Sequence, residues 1–326
     1  MEGISVVIPN YNGRYLLEVI LPPLFLALEN AKLPYEVILS DDASTDDSLD
    51  YVRTHYPDII LIEKKINEGF SPTINRGIFI AKYDYVLLLN SDVKLTENYF
   101  SGLPAYFESE DTFGVMGRIV GWDDDIIQDG GKFPSFHGAK IKTTGNYIPM
   151  KPVEGDRNYS MYLSGANAFV SRKKLCEMGG FDEIFAPFYV EDYELSLRAW
   201  RLGYKCYYDH FAVCRHKVSV SIKTKNSKDY INAIYYRNKM FLHAMHLEGS
   251  NRVLWYLQLI PETLIRLFTL RFYYFASLLY FFRNSNRMKR STESFRSLAK
   301  GRNLLSVNEV VEIIKNSLKD TPIRRF

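Results

Sequence analysis

The chain has 326 residues, 47% of them hydrophobic and 24% charged, with a formal net charge of +3. Such a composition supports a globular core, and so small a net charge does not suit a chain that binds nucleic acid along its length. Cys176, Cys206 and Cys214 contain no CxxC pair and are odd in number, so reduced thiols are expected rather than a disulfide framework or a thiolate metal site.

The first residues, Met1 to Ser5, run directly into a strand-like segment without a basic region or a long apolar stretch. No secretory signal is expected, and the cytoplasm is the expected location. Ile4-Ser5-Val6-Val7-Ile8-Pro9 is a β-branched run closed by proline, a first strand. Asn10-Tyr11-Asn12-Gly13 is turn chemistry. Residues 14–30 repeat apolar side chains at helical spacing, with Pro22-Pro23 expected to start or kink a turn inside them. Residues 35–40 form a second strand, and Ser44 or Thr45 is placed to cap the helix that follows. A third strand is expected at 59–62, and a helix at 71–81.

Tyr85-Val86-Leu87-Leu88-Leu89 is short, apolar and uncharged, then stops at Asn90-Ser91-Asp92. That pattern reads as a strand buried on both faces of a parallel sheet. Strands alternating with helices at this spacing predict an α/β fold with a doubly wound, mostly parallel sheet. The polar clusters at 9–12, 41–46 and 90–92 all follow strands, so they should gather along one sheet edge, where open α/β sheets bind ligands. Asp92 alone has a simpler reading, as a cap for a helix expected over 96–109.

A strand is expected at 113–120. The segment 121–159 has no sustained period and reads as a long irregular connection, a candidate lid and acceptor wall. Strand character resumes at 161–170, and a short helix at 173–178 stops at Gly179-Gly180. Glu191-Asp192 opens a helix whose face carries Leu195, Ala199 and Leu202. Their charge suits the helix dipole, and Asp192 is also placed to act as a general base. Two short strands follow at 205–208 and 212–215, and then His216, either a structural imidazole or a metal ligand.

Beyond residue 229 the composition changes. Residues 230–246 are helical and aromatic, and 253–282 are strongly apolar but interrupted by Glu262, Arg266 and Arg271. No run approaches the roughly 20 apolar residues a membrane span needs. Buried core helices and an interfacial hairpin both fit, as does a dimer surface. The basic stretch Arg283, Arg287, Lys289, Arg290, Arg296, Lys300 and Arg302 points to an anionic membrane face. Residues 307–318 close the chain as an amphipathic helix. The domain organisation read from these shifts is 1–228 for the α/β unit and 229–326 for a helical, aromatic and basic appendage.

Taken together, Val7-Ile8-Pro9-Asn10-Tyr11-Asn12, Ser40 to Asp46, Asn67-Glu68-Gly69-Phe70, Asn75-Arg76-Gly77 and Leu88 to Asp92 resemble the family 2 inverting glycosyltransferases of GT-A fold. Gly179 to Glu183, Glu191-Asp192 with Leu197-Arg198, and His216 extend the match over roughly 4–220, closest to the rhamnosyltransferase-like enzymes of cell-surface polysaccharides. The resemblance implies a nucleoside-diphosphate sugar donor, with UDP or dTDP, held by Pro9, Tyr11, Asp41, Asn67, Arg76, Asn90 and Ser91. It implies a divalent cation, Mg²⁺ or Mn²⁺, on Asp92 and His216. It makes Asp192 the base that takes the acceptor proton, with Glu191 and Arg198 in support. Asn90 stands where the family often has the first Asp of Asp-x-Asp, which lowers the site's charge. The acceptor implied is a glycan or polyprenyl-linked saccharide, at the inner face of the membrane.

Other classes lack their signatures. No GxGxxG follows the first strand and no GxxxxGK[ST] occurs, which disfavours dinucleotide and P-loop enzymes. A processive polysaccharide synthase would need several membrane spans and Gln-x-x-Arg-Trp. A degenerate, non-catalytic nucleotide-sugar binder draws support only from Asn90.

Overall fold

A computed structural model describes residues 1–217 and 226–326. The strands are β1 (Ile4–Asn10), β2 (Tyr35–Asp41), β3 (Ile60–Glu63), β4 (Tyr85–Leu89), β5 (Val93–Leu95), β6 (Thr112–Gly121) and β7 (Ile127–Asp129). Short strands β8 (Gly131–Lys132), β9 (Phe136–His137), β10 (Lys140–Ile141), β11 (Asn146–Pro149) and β12 (Asn158–Tyr159) follow. The last three are β13 (Asn167–Ser171), β14 (Lys205–His216) and β15 (Ile323–Arg325). The helices are α1 (Arg14–Ala31), α2 (Ser48–His55), α3 (Phe70–Ile80), α4 (Arg172–Glu177) and α5 (Glu191–Arg201). Then come α6 (Lys228–His246), α7 (Gly249–Phe268), α8 (Tyr273–Arg283), α9 (Ser285–Leu298) and α10 (Val307–Ser317).

The main sheet has the order β12-β14-β6-β13-β4-β1-β2-β3. β14, β6, β4, β1, β2 and β3 point the same way, and β13 and β12 run against them. The expected doubly wound, mostly parallel sheet is therefore present. Its inner strands divide their side chains between two covered faces. Val7, Ile38, Val86 and Leu88 face α3, while Val6, Ile8, Val37, Leu39, Leu87 and Leu89 face α1 and the 99–106 turns. Burial on both faces is why these strands read as unbroken apolar runs.

Some local expectations fail for physical reasons. Residues 96–109 form turns and a short 3₁₀ segment, Pro104–Glu108, rather than a helix. Pro104 has no N–H to donate, and Thr96 spends its own N–H and hydroxyl on the Val213 carbonyl. The strand expected from 161 begins only at Asn167. The N–H groups before it are taken elsewhere: Met161 donates to the Lys132 carbonyl, Leu163 to Ser196 Oγ and Gly165 to Asp192 Oδ2. Neither Ser44 nor Thr45 caps α2, which starts at Ser48. Ser44 Oγ instead bridges Asp41 and the N–H of Asn12. The two strands expected at 205–215 are one, interrupted by a bulge in which Asp209 accepts from the N–H groups of Phe211 and Ala212. The double proline does not break α1, whose buried face of Leu16, Leu17, Ile20, Leu21, Leu24 and Leu28 holds it together.

The connection 121–159 is less irregular than its composition. β8 and β11 make a small sheet with β15, so the end of the chain returns to pair beside it. The C-terminal helices share one apolar core with the sheet, through Phe241, Trp255, Phe281, Phe295 and Ile314.

Candidate active site

β1, β2 and β4 all end at the same edge, and β14 brings His216 to that edge beside Val93 and Gly121. Two adjoining cavities open there. The first, about 410 Å³, is lined by Pro9, Tyr11, Asp42, Asn67, Asn90, Ser91 and Asp92. The second, about 660 Å³, is lined by Asp129, Gly165, Glu191, Asp192 and His216 among others. Phe70, Asn90, Asp92 and Phe188 belong to both walls.

The floor of the first cavity is organised by two buried carboxylates. Asp41 accepts from Asn10 Nδ2 at 2.8 Å, from the Ser44 N–H at 2.8 Å and from the Ser44 hydroxyl at 2.6 Å. It therefore lies beneath the lining rather than in it. Its neighbour Asp42 does reach the cavity. Asp42 accepts from Lys64 Nζ at 2.6 Å and from the N–H groups of Glu68 and Gly69, both at 2.9 Å. Lys64, itself buried, also donates to Thr73 Oγ1. This ion pair pins the 64–69 turn to the end of β2. Gly69 has φ +90, and a Cβ there would stand 2.5 Å from Pro187 Cα, so only glycine lets this turn meet the 187 loop. Arg76 lines neither cavity and pairs with Glu68 at 3.1 Å.

Asp92 stands between the cavities. A strand, not a helix, follows it, so no helix is there for it to cap. Its Oδ2 lies 3.5 Å from His216 Nε2. Its Oδ1 is buried and has no hydrogen-bond partner. His216 Nδ1 meets Gln128 Oε1 at 3.1 Å, which fixes the ring and leaves Nε2 facing Asp92. Among the described residues no three His, Cys, Asp or Glu side chains gather as a metal cluster. One carboxylate and one imidazole nevertheless fit a cation that takes its remaining ligands from phosphate oxygens and water, and the orphaned Oδ1 is available to it.

The second cavity presents Asp192. The chain enters α5 through Tyr189 and Val190, both with φ 74. Asn238 holds this strained approach: its Nδ2 donates to the carbonyls of Phe185, Phe188 and Tyr189 at 2.6, 2.9 and 2.8 Å. The Asp192 carboxylate then accepts from the Gly165 N–H at 3.3 Å and the Tyr193 N–H at 2.7 Å. Burial raises the Asp192 pKa above the usual aspartate range, against these two N–H donors and Lys132, with Asp129 adding to the rise. Glu191 is raised as well, by burial and then by the Asp192 charge, and its Oε2 has no partner. A raised carboxyl in an open cleft suits a proton acceptor. Arg198 does not face this cleft. It is buried behind α5, paired with Glu194 at 3.0 Å and donating to the Met178 and Gly180 carbonyls.

Of the residues singled out in the sequence, Pro9, Tyr11, Asn67, Asn90, Ser91, Asp92, Glu191, Asp192 and His216 line one cleft, with Asp41 beneath it and Arg76 and Arg198 outside it. Sequence reasoning misses Asp42, Lys64, Gln128 and Asn238.

Comparison with known proteins agrees with this geometry. The profile of glycosyl transferase family 2 matches residues 5–172. The chain belongs to that family and is a glycosyltransferase. It is 26% identical, over 239 residues, to N-acetylglucosaminyl-diphospho-decaprenol L-rhamnosyltransferase of Mycobacterium tuberculosis, covering 66% of this chain and 76% of that protein. Its fold matches GalNAc-T7, crystallised with UDP, GalNAc and Mn²⁺, with TM-score 0.68 and 16% identity. That match covers 99% of this chain and 58% of the other. It also matches the mannosyltransferase PcManGT of Pyrobaculum calidifontis, in complex with GDP-Man and Mn²⁺, with TM-score 0.52 and 14% identity, over 97% and 79% of the two chains.

Proposed function

We propose that this chain transfers a sugar from a nucleoside-diphosphate sugar, UDP- or dTDP-linked, to a hydroxyl of a glycan or lipid-linked saccharide, with inversion, in cell-surface polysaccharide synthesis. The observation that carries the reading is the pair of adjoining cavities with Asp92 in their common wall and Asp192 in the second. Pro9, Tyr11 and Asn67 border the nucleotide side, with Asp41 acting through Asn10 and Ser44 to hold that wall. Asp92 and His216 would hold Mg²⁺ or Mn²⁺, which supplies Lewis-acid stabilisation of the departing diphosphate. Asp192 takes the acceptor hydroxyl proton as the oxygen–anomeric carbon bond forms. The bond from that carbon to the phosphate oxygen breaks on the opposite face, and the nucleoside diphosphate leaves with the electron pair. Phe70 and Phe188 belong to both walls and give the reacting centre apolar sides.

A thermal-shift panel of UDP-, dTDP-, GDP- and CMP-sugars tests this, with and without Mn²⁺. One nucleotide class is expected to raise the melting temperature in a Mn²⁺-dependent way, since ligand at about 100 Kd stabilises by about 2.7 kcal/mol. No shift with any donor would overturn the reading in favour of a degenerate module.

The residues 229–326 fit an acceptor-side appendage that rests on the membrane. Among the described residues no helix is long and apolar enough to cross one. α7 and the turn after it expose Leu257, Ile260, Leu264, Phe268 (84% exposed), Leu270 and Phe272, and the basic helix α9 follows. A C-terminal region that carries both an exposed apolar face and a cationic helix suits an anionic lipid surface. Phe268→Glu is expected to abolish sedimentation with phosphatidylglycerol vesicles while leaving donor binding unchanged. Equal sedimentation of variant and wild type would reject membrane contact through this face and leave a second copy of the chain as its cover.

A further inference from the structure

A further polar cavity lies away from the cleft, between the β9–β10 hairpin and helices α6, α7 and α8, with a volume of about 430 Å³. Four cationic side chains line it: Lys140, Lys142, Lys239 and Arg266. Only one carboxylate does, Glu262, which is already paired with Lys140. Among the described residues Lys239 and Lys142 have no ion-pair partner within 4.0 Å. The charges crowd one another. Burial lowers the Lys140 and Lys239 pKa values, opposed by Glu262 and, for Lys239, by Tyr236, while the neighbouring cations add a smaller lowering. Lys140, Lys239 and Arg266 are part-buried and Lys142 is exposed at the rim, and with Glu262 as the one carboxylate the hollow keeps a net positive charge that an anion would offset.

The rest of the lining is aromatic. Arg266 lies over the Tyr236 and Tyr274 rings, 4.9 and 4.4 Å from their centroids. Trp255 is fully buried, and its indole N–H has no acceptor. Two features tie the cavity to its surroundings. Thr143 in its wall hydrogen-bonds Tyr235 at 2.9 Å and accepts at its carbonyl from the Tyr162 hydroxyl at 3.2 Å. Tyr162 packs on Tyr193, ring centroids 4.7 Å apart, next in the chain to Asp192. The Tyr162 and Tyr193 rings, packed in series, link this cavity to the helix turn that carries the proposed base. On the other side, Ile265 lines the cavity and is exposed, so its rim continues into the apolar face with Leu264 and Phe268.

We propose that this cavity binds the phosphate or diphosphate group of a polyprenyl-linked acceptor, with the prenyl chain leaving along the exposed face of α7. This rests on the reading of the chain as a transferase to lipid-linked saccharides. It assigns Lys142, Lys239 and Arg266 to the acceptor's anionic group, which no donor contact uses. The sugar beyond the diphosphate then lies on the Asp192 side of the Thr143–Tyr235 layer, and the lipid on the membrane side.

The test uses the full chain and farnesyl diphosphate, titrated by calorimetry in EDTA so that no metal-bearing donor site competes. Wild type is expected to bind farnesyl diphosphate more tightly than inorganic pyrophosphate. Lys142→Gln should weaken it by about tenfold, and the Lys142→Gln/Lys239→Gln pair by more, as charge-assisted contacts are lost. Donor affinity in Mn²⁺ should be unchanged in both, which also reports that they fold. Equal binding of pyrophosphate and farnesyl diphosphate would overturn the lipid assignment in favour of a free-phosphate site. No binding, or binding indifferent to both substitutions, would overturn the site itself. Lysine-dependent farnesyl diphosphate binding without sugar transfer to any lipid-linked acceptor would leave the site standing and reject the transferase reading on which it rests.

Discussion

Asp192→Asn is expected to lower sugar transfer by about 10²–10⁴-fold, the usual contribution of a positioned base. Nucleotide binding should not change, because Asp192 lines the second cavity and not the first. The variant should also melt at a higher temperature than wild type near pH 8. Burial raises the folded-state pKa of Asp192 above its unfolded value. The stabilisation from such a carboxyl is complete below the unfolded pKa and is lost as pH rises through the folded one. At pH 8 the wild type holds a buried charge beside Glu191, and the amide does not. Below the raised pKa the wild-type base is protonated, so kcat/KM should fall on acidification at a pH above the ordinary aspartate range. Asp192→Asn should have no such limb. Loss of activity combined with gain of stability separates a base from a structural residue, whose removal would lower both. Unchanged turnover in Asp192→Asn would reject the assignment.

The sheet was legible in the sequence because its inner strands are buried on both faces. Runs such as Val86 to Leu89 need no partner helix to be recognised, and each stops at the polar residues that line the cleft. Local chemistry was less legible where a group's partner lies far along the chain. Asp41 and Asp42 are adjacent and identical in type, yet one is bonded inward to Asn10 and Ser44 and the other lines the cavity while paired with buried Lys64. Only the register of β1 against β2 decides between them. Arg198 follows the same logic. It shares α5 with Asp192 but sits on the face that packs against Met178 and Gly180, where its charge is matched by Glu194. Residues 121–159 looked irregular because their strands are two to four residues long and pair with a segment as distant as 323–325.

Asp92→Ala should remove the Mn²⁺-dependent part of the donor-induced thermal shift and reduce turnover by about 10³-fold, since a divalent cation supplies several kcal/mol of charge stabilisation at a leaving diphosphate. The fold should tolerate the change. Oδ1 has no partner to lose, and the backbone carbonyl that accepts from the Lys217 N–H remains. His216→Ala should show the same loss in weaker form, because it removes one ligand of neutral charge and leaves the carboxylate. Asn90→Asp should act in the opposite direction. Asn90 lines both cavities beside Asp92, so a second carboxylate there raises the negative charge offered to the cation and lowers the Mn²⁺ concentration needed for the half-maximal shift. The three variants together locate the cation by charge: binding should follow the order Asn90→Asp, wild type, His216→Ala, Asp92→Ala. A Mn²⁺-dependent shift of full size in Asp92→Ala would place the cation elsewhere, and a donor shift that ignores Mn²⁺ in every variant would reject a cation at this site.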